Sequence, residues 1–195
     1  LGMQWENSGD HVIPPLIHGA QHAQPARGQE ILVYLPFEPL EQVIGLFKHF
    51  PEYQFKVYHP DATPGIRGNV ECFLPSRETF PQHFMRALGV IANAGFETSS
   101  EALARGKKLL VKPLHGQFEQ MANARCLVER QLGSRMVELS PAAIEDWLED
   151  SKAVRIEWPD VAPIITDWLA NGALESVRSL NHRLWRVSEI RRAVA

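Results

Sequence analysis

Short apolar runs recur between longer amphipathic stretches along most of this chain, and that alternation limits the folds open to it. Residues 31–35 (ILVYL) are apolar and stop at Pro36, as a buried strand would. Over 39–50, Leu40, Val43, Ile44 and Phe47 fall at helical spacing behind Pro39, which suits a first turn. Further strands are predicted at 54–58, 69–74, 89–93, 108–112 and 136–139. Helices are predicted at 77–87 (Phe80, Phe84 and Leu88 inward), 98–105, 117–131 and 141–148, the last opened by Ser140 and Pro141. Residues 62–68 read as a loop. Strands alternating with helices imply an α/β, Rossmann-like, three-layer domain with a parallel sheet and helices on both faces. Ligands of such sheets sit at the carboxyl ends of the strands. The loops after Leu35, Tyr58, Leu74, Asn93 and Val111 are therefore the ones that matter.

The pattern divides the chain. Residues 1–28 hold Gly2, Gly9, Pro14, Pro15, Gly19, Pro25 and Gly28 without helical periodicity, and read as a linker leading into the domain. Residues 29–158 carry the alternation. Residues 159–195 read as C-terminal helices, one with Ile164, Trp168 and Leu169 after Pro159 and Pro163. The last starts near Glu175, with Val177, Leu180, Leu184 and Val187 on one face and Arg178, Arg183, Arg186, Arg191 and Arg192 beside them. Leu1 is not an initiator, so the expectation is a piece of a longer protein.

Composition narrows the function. A net charge of −3 over 195 residues excludes a general nucleic-acid binder, whose affinity needs clustered Lys and Arg. Cys72 and Cys126 are far apart, without metal-like spacing, and read as buried or half-buried thiols of a reducing compartment. The longest apolar runs are too short to span a bilayer. The start lacks the pattern of a signal peptide, and a cytoplasmic location is expected. The arginines near the C-terminus leave open a peripheral contact of the intact protein with anionic membrane, beside a solvated face or packing on a further domain.

Residues 89–124 carry the chemistry: GVIANAGFETSSEALARGKKLLVKPLHGQFEQMANA. Two helix starts should open there on one edge of the sheet. At the first, Gly95 allows close backbone approach, and Phe96, Glu97, Thr98 and Ser99 offer N–H groups that suit a phosphate. The hydroxyls of Thr98, Ser99 and Ser100 add donors. Glu101 either folds back on Thr98 as a capping box or accepts hydrogen bonds from a ribose diol. At the second start, Gln117, Glu119 and Gln120 are suited to sugar hydroxyls, and Asn123 reads as a buried structural residue. His115 lies in the loop facing the site, and His59 ends a strand beside Asp61. No His pair has metal spacing, no Asp-x-Asp motif occurs, and no metal is expected.

Gly95-x-x-Thr98-x-x-Glu101, a strand ending in Pro113, then Glu119-Gln120-x-x-Asn123-Ala124 resembles the donor-binding signature of GT-B glycosyltransferases. It is similar to the C-terminal half of the peptidoglycan N-acetylglucosaminyltransferase and of UDP-glycosyltransferases, and most of all to a prokaryotic branch carrying ANAGFETSSEAL and KPLxGQFEQxANA. The resemblance implies a nucleotide-sugar donor, UDP before other nucleotides, and an acceptor of unknown identity. It implies that the Gly95 turn binds the diphosphate, Glu101 the ribose, and Glu119 and Gln120 the sugar. The loop near Phe73 and Leu74 would hold the base by backbone hydrogen bonds and packing. Pro14 and Pro15 would lie in a hinge, the last helix would cross back to the other half, and the general base would lie in that half. Two departures stand out: the first strand runs into Pro36, Phe37 and Glu38 instead of a glycine-rich loop, and Glu97 puts a charge beside the diphosphate. The alternatives are a sugar-nucleotide 2-epimerase, which would need further acid–base residues, and a non-catalytic nucleotide-binding module.

Overall fold

A computed structural model describes residues 2–17, 28–186 and 189–192. Its elements run β1 (Gly2–Met3), β2 (Val12–Ile13), β3 (Glu30–Tyr34), α1 (Leu40–Phe47), β4 (Gln54–Tyr58), β5 (Gly65–Arg67), β6 (Val70–Phe73), α2 (Thr79–Arg86) and β7 (Gly89–Asn93). They continue with α3 (Phe96–Ala104), β8 (Lys108–Lys112), α4 (Phe118–Glu129), β9 (Ser134–Arg135), α5 (Pro141–Asp150), β10 (Val154–Glu157), α6 (Val161–Ala170), α7 (Val177–Trp185) and β11 (Glu189–Arg192). The expected α/β fold is present. Seven strands form one sheet in the order β5-β6-β4-β3-β7-β8-β9, parallel throughout except that β5 pairs antiparallel with β6.

Both faces of this sheet are covered, which is why its central strands read as continuous apolar runs and not as alternations. On one face Ile31, Val33, Phe55, Val57, Ile91 and Leu110 pack under Val43 and Phe47 of α1 and Ile144 and Trp147 of α5. On the other, Leu32, Val90, Leu109 and Val111 meet Phe84 of α2, Leu103 of α3, and Ala124 and Leu127 of α4. Ser140 caps α5, its Oγ accepting the Ala143 N–H at 3.3 Å.

Several boundaries differ from the sequence reading. The loop expected at 62–68 contains β5, an edge strand whose three residues are all exposed; with no apolar face to bury, it leaves no periodic signal. The strand expected at 136–139 is displaced to Ser134–Arg135, pairing with Leu110 and Val111, while Met136 is buried beyond it. Strand β10 falls where no strand was expected. Its Val154 and Ile156 join the core beside α3, and it pairs antiparallel with β11. Arg191 and Arg192 therefore lie on a strand and not on the last helix, which ends at Trp185. Val187 falls outside the described residues.

The segment before β3 packs closely. Trp5 is 2% exposed, its indole N–H donates to Ser100 Oγ at 2.8 Å, and its ring stacks on Phe96 at 5.0 Å. Pro14 and Pro15 are buried. Asn181 of α7 donates to Gly9 O at 2.9 Å, and Trp185 donates to Val12 O at 2.8 Å. Ile13, Val161, Leu180 and Leu184 form a separate small core. Cys72 is buried and Cys126 half-buried, both free thiols, and burial raises the pKa of each. No described helix is long and apolar enough to cross a membrane.

Gly89 opens β7 directly under α5. A Cβ there would lie 2.7 Å from Trp147 Cη2 and 3.1 Å from Lys108 Cβ. Trp147 is 1% exposed and cannot swing aside. Gly89→Ala should therefore cost about 1–3 kcal/mol, the usual cost of overpacking. Urea denaturation of the two proteins checks this; an unchanged midpoint would contradict it.

Candidate functional site

Strand order reverses between β3 and β7, so α1 and α3 leave the sheet toward opposite faces. Crevices at such a switch point are where open α/β sheets take ligands. Gly95 is the N-cap of α3, at φ −71° and ψ 144°, a conformation any residue adopts. A Cβ on it would meet nothing within 4 Å. The fold thus does not require glycine here. The sharp turn is made by the Gly95 N–H donating to Asn93 O at 2.7 Å, and what glycine leaves is open space against the backbone.

Helix α3 begins at Phe96, two residues before the expected start. Thr98 therefore sits inside the first turn, and the capping box with Glu101 is not formed; no side chain caps this helix. The first N–H to find an intrahelical acceptor is that of Ser99, donating to Gly95 O at 3.3 Å. The N–H groups of Phe96, Glu97 and Thr98 find no acceptor among the described residues and stand at the positive end of the helix dipole. Glu101 lies on the same face as Thr98, a third exposed, with Oε2 3.5 Å from Arg105 Nη1.

Of the three hydroxyl residues only Thr98 lines a cavity. Ser100 Oγ donates to Phe96 O at 2.7 Å and accepts from Trp5, so it works inside the fold. Ser99 is fully buried, and its Oγ finds no partner among the described residues. Phe96 turns its ring onto Trp5 and has only its backbone for a ligand. The Glu97 side chain is exposed.

A cavity of about 360 Å³ opens beside Thr98, lined by Tyr34, Pro75, Ser76, Arg77 and Phe80. It lies at the carboxyl ends of β3 and β6. Phe73, expected to hold a base here, does not line it. Its carbonyl accepts the His59 N–H at 3.0 Å and its ring stacks on Tyr58 at 5.0 Å. Leu74 is exposed but also outside the cavity wall. The wall is formed one to three residues further on, because Phe73 still pairs within β6. Ser76 fixes that loop, its Oγ accepting the N–H groups of Glu78 and Thr79 at 3.2 Å each. Beneath it, Tyr58 Oη lies 2.9 Å from Thr79 Oγ1 and 2.8 Å from His83 Nδ1, and burial holds the His83 pKa below its ordinary value. A wider hollow of about 760 Å³ lies near Glu41, Gln54 and Arg67, at the amino end of β4 and away from the ligand edge.

The second helix start stands on the same edge. Gln117 is the N-cap of α4, without a side-chain cap, and Gln117 and Glu119 are exposed. Gly116, at φ +75°, makes the left-handed turn before it, where a side chain would be strained. Gln120 departs from its expected role in part. It is 8% exposed, and its Oε1 accepts the Leu114 N–H at 3.1 Å, leaving only its N–H₂ for a sugar. Asn123 is structural, as expected, its Nδ2 donating to Ala94 O at 3.0 Å.

Three residues at this edge, Asn93, Glu38 and Lys112, were assigned no contact from the sequence. Asn93 donates to Lys112 O at 2.9 Å, while its buried Oδ1 has no partner among the described residues. Glu38 and Lys112 form a largely buried ion pair at 2.7 Å that ties the loop after β3 to the end of β8. His59, 1% exposed, is packed and holds Glu38 O at 2.9 Å. Among the described residues no group of three or more His, Cys, Asp or Glu could hold a metal ion.

The sequence matches the profile of glycosyl transferase family 1 over residues 6–151. No curated protein matches it. Similar solved structures include the glycosyltransferase SnogD from Streptomyces nogalater, at 16% identity and TM-score 0.50 over 84% of this chain and 40% of that one. The glycosyltransferase SsfS6 of Streptomyces sp. SF2575 is similar at 15% identity and TM-score 0.52, over 89% and 43%. The spinosyn forosaminyltransferase SpnP is similar at 11% identity and TM-score 0.54, over 89% and 46%. At these identities the likeness is one of fold. The chain spans less than half the length of each.

Removing the Asn123 donor isolates its role in the site. Asn123→Leu strands Ala94 O and should cost about 1–3 kcal/mol, as unsatisfied buried acceptors do. Amide exchange at Gly95, Phe96 and Glu97 should quicken while β3 stays protected. Unaltered exchange at those three amides would show that the turn holds itself.

Proposed function

The chain belongs to glycosyl transferase family 1, and from that premise we propose that it is the nucleotide-sugar-binding half of a two-domain GT-B enzyme. One observation carries the reading: an uncapped helix N-terminus, with three open N–H groups, stands at the switch point of the sheet beside a cavity of about 360 Å³. In this reading the diphosphate lies against Gly95 and the N–H groups of Phe96, Glu97 and Thr98. Its charge is stabilised by the dipole and the donors together, and more so as the leaving diphosphate forms. The base occupies the cavity of Tyr34, Ser76, Arg77 and Phe80. Glu101 takes the ribose diol. The sugar extends toward Gln117, Glu119 and the Gln120 amide, with Asn93 Oδ1 an open acceptor between them.

UDP is the proposed nucleotide, transfer inverts the anomeric centre, and the base that deprotonates the acceptor belongs to the other half of the longer protein. No metal is needed, because the helix terminus offsets part of the diphosphate charge. The epimerase reading lacks support, since the described residues that line the cavity include no carboxylate or histidine for a further acid–base pair.

Titration calorimetry tests the assignment. Glu101→Gln replaces a charged acceptor with a neutral amide, so UDP should bind at least about tenfold more weakly, in line with roughly 1.5–3 kcal/mol for a charge-assisted hydrogen bond. The 2′-deoxy nucleotide should bind the unaltered protein poorly and the variant about as well as UDP does. Equal UDP affinity for both proteins would return Glu101 to a partner of Arg105.

Gly95→Ala gives a second check. The backbone tolerates it and the Cβ meets open space, so thermal stability should hold while UDP affinity drops severalfold. Affinity should be the same with and without EDTA; a large loss with EDTA would refute the metal-free reading.

A further inference from the structure

A second cavity, of about 400 Å³, lies on the same edge of the sheet but beyond β7 and β8, between the flank of α4 and the chain running out of β9. Its apolar wall is Leu114, Phe118, Met121 and Val137. Phe118 is 86% exposed, Met121 51% and Val137 67%, so three large apolar side chains face water in one concave place. Monomeric proteins seldom leave such groups together without use. Phe118, Met121 and Arg125 recur at helical spacing on the side of α4 opposite its buried residues Gln120, Ala124 and Leu127, so nothing in the packing of this helix requires them apolar. Arg135 and Val137, two apart, point to the same side, while Met136 between them is buried in the core of the other face.

The rim is cationic. Lys112, His115, Arg125 and Arg135 line the cavity, and no carboxylate does. Lys112 is paired with Glu38 and Arg125 with Glu129. Arg135 and His115 have no partner among the described residues. An apolar pocket of a few hundred Å³ with a few convergent polar groups is the usual form of a small-molecule site, and an unpaired guanidinium at its mouth favours a planar anion. We infer that this cavity binds a small apolar molecule carrying one carboxylate or similar anionic group, its body against Phe118, Met121 and Val137 and its charge on Arg135 and His115. The site is separate from the cavity at Tyr34 and Thr98 and does not depend on the donor reading. It touches the donor region through one loop, since His115 and Leu114 lie on the segment that Gln120 holds.

Two aromatic probes of equal bulk test this: 1-naphthoate and the neutral 1-naphthalenemethanol, titrated into the 195-residue chain and followed by amide chemical shifts. Naphthoate should bind several-fold more tightly than the alcohol, with the largest shifts at Leu114, Met121 and Val137. Arg135→Gln should remove that preference and leave the alcohol unchanged. Phe118→Ala, at an exposed position that does not support the fold, should weaken both probes about tenfold. UDP affinity should be unaffected by either variant, so a failure of UDP binding and a failure of probe binding are read separately. Dissociation constants weaker than about 1 mM for both probes, equal affinity for the two, or shifts centred on Tyr34 and Thr98 would each overturn the inference.

Discussion

Three buried side-chain amides hold the ligand edge of this molecule together. Asn93 reaches from β7 to the end of β8, Asn123 from α4 to the turn before α3, and Gln120 from α4 to the loop after β8. Asn123 and Gln120 satisfy backbone groups in loops that have no secondary structure of their own, and Asn93 satisfies one at the last residue of β8. Such groups are costly to bury unpaired. Because the three amides link β7, β8, α3 and α4 in a circuit, the two open helix starts cannot move independently. The spacing between the Gly95 turn and Gln117 is thereby set by the protein itself.

The segment before the sheet adds a second brace. Trp5 closes over the first turn of α3, with Ser100 satisfying both the indole N–H and the Phe96 carbonyl. Ser100 is therefore a pin and not a ligand, although it sits in the run of hydroxyls that suggested a phosphate site. Polar residues beside a helix start can face the ligand or the core, and only the position of Trp5, far away in sequence, decides between these.

The fold was legible because its signal is physical and local. The three central strands β3, β7 and β8 are short apolar runs whose continuity records burial on both faces, β4 and β6 alternate, and the intervening stretches carry helical periodicity. The errors fall where that signal is absent: β5 has no buried face, β9 is two residues long, and β10 is apolar at alternate positions in a stretch broken by prolines. The Gly95 turn was legible as a position, yet for a reason that changed. Glycine at 95 is not demanded by its dihedral angles. Leu74 lies one to three residues before the cavity wall at Pro75, Ser76 and Arg77, because the end of a strand cannot be read to that precision from apolar character.

By itself, then, the sequence determined the layered α/β architecture, the two helix starts that open on one edge of the sheet, and the structural role of Asn123. These follow from periodicity, from glycine and proline, and from side-chain chemistry, all of which act over a few residues. Only the tertiary structure decided that Gln120 holds a loop by its carbonyl, that Glu101 is free of a capping box, that Glu38 pairs with Lys112, and that Phe118, Met121 and Val137 share a cavity with Arg135. All of these except the Glu101 case join residues from different parts of the chain. Whether a polar side chain is satisfied by the protein or left open for a ligand depends on which distant backbone group or charge packs beside it.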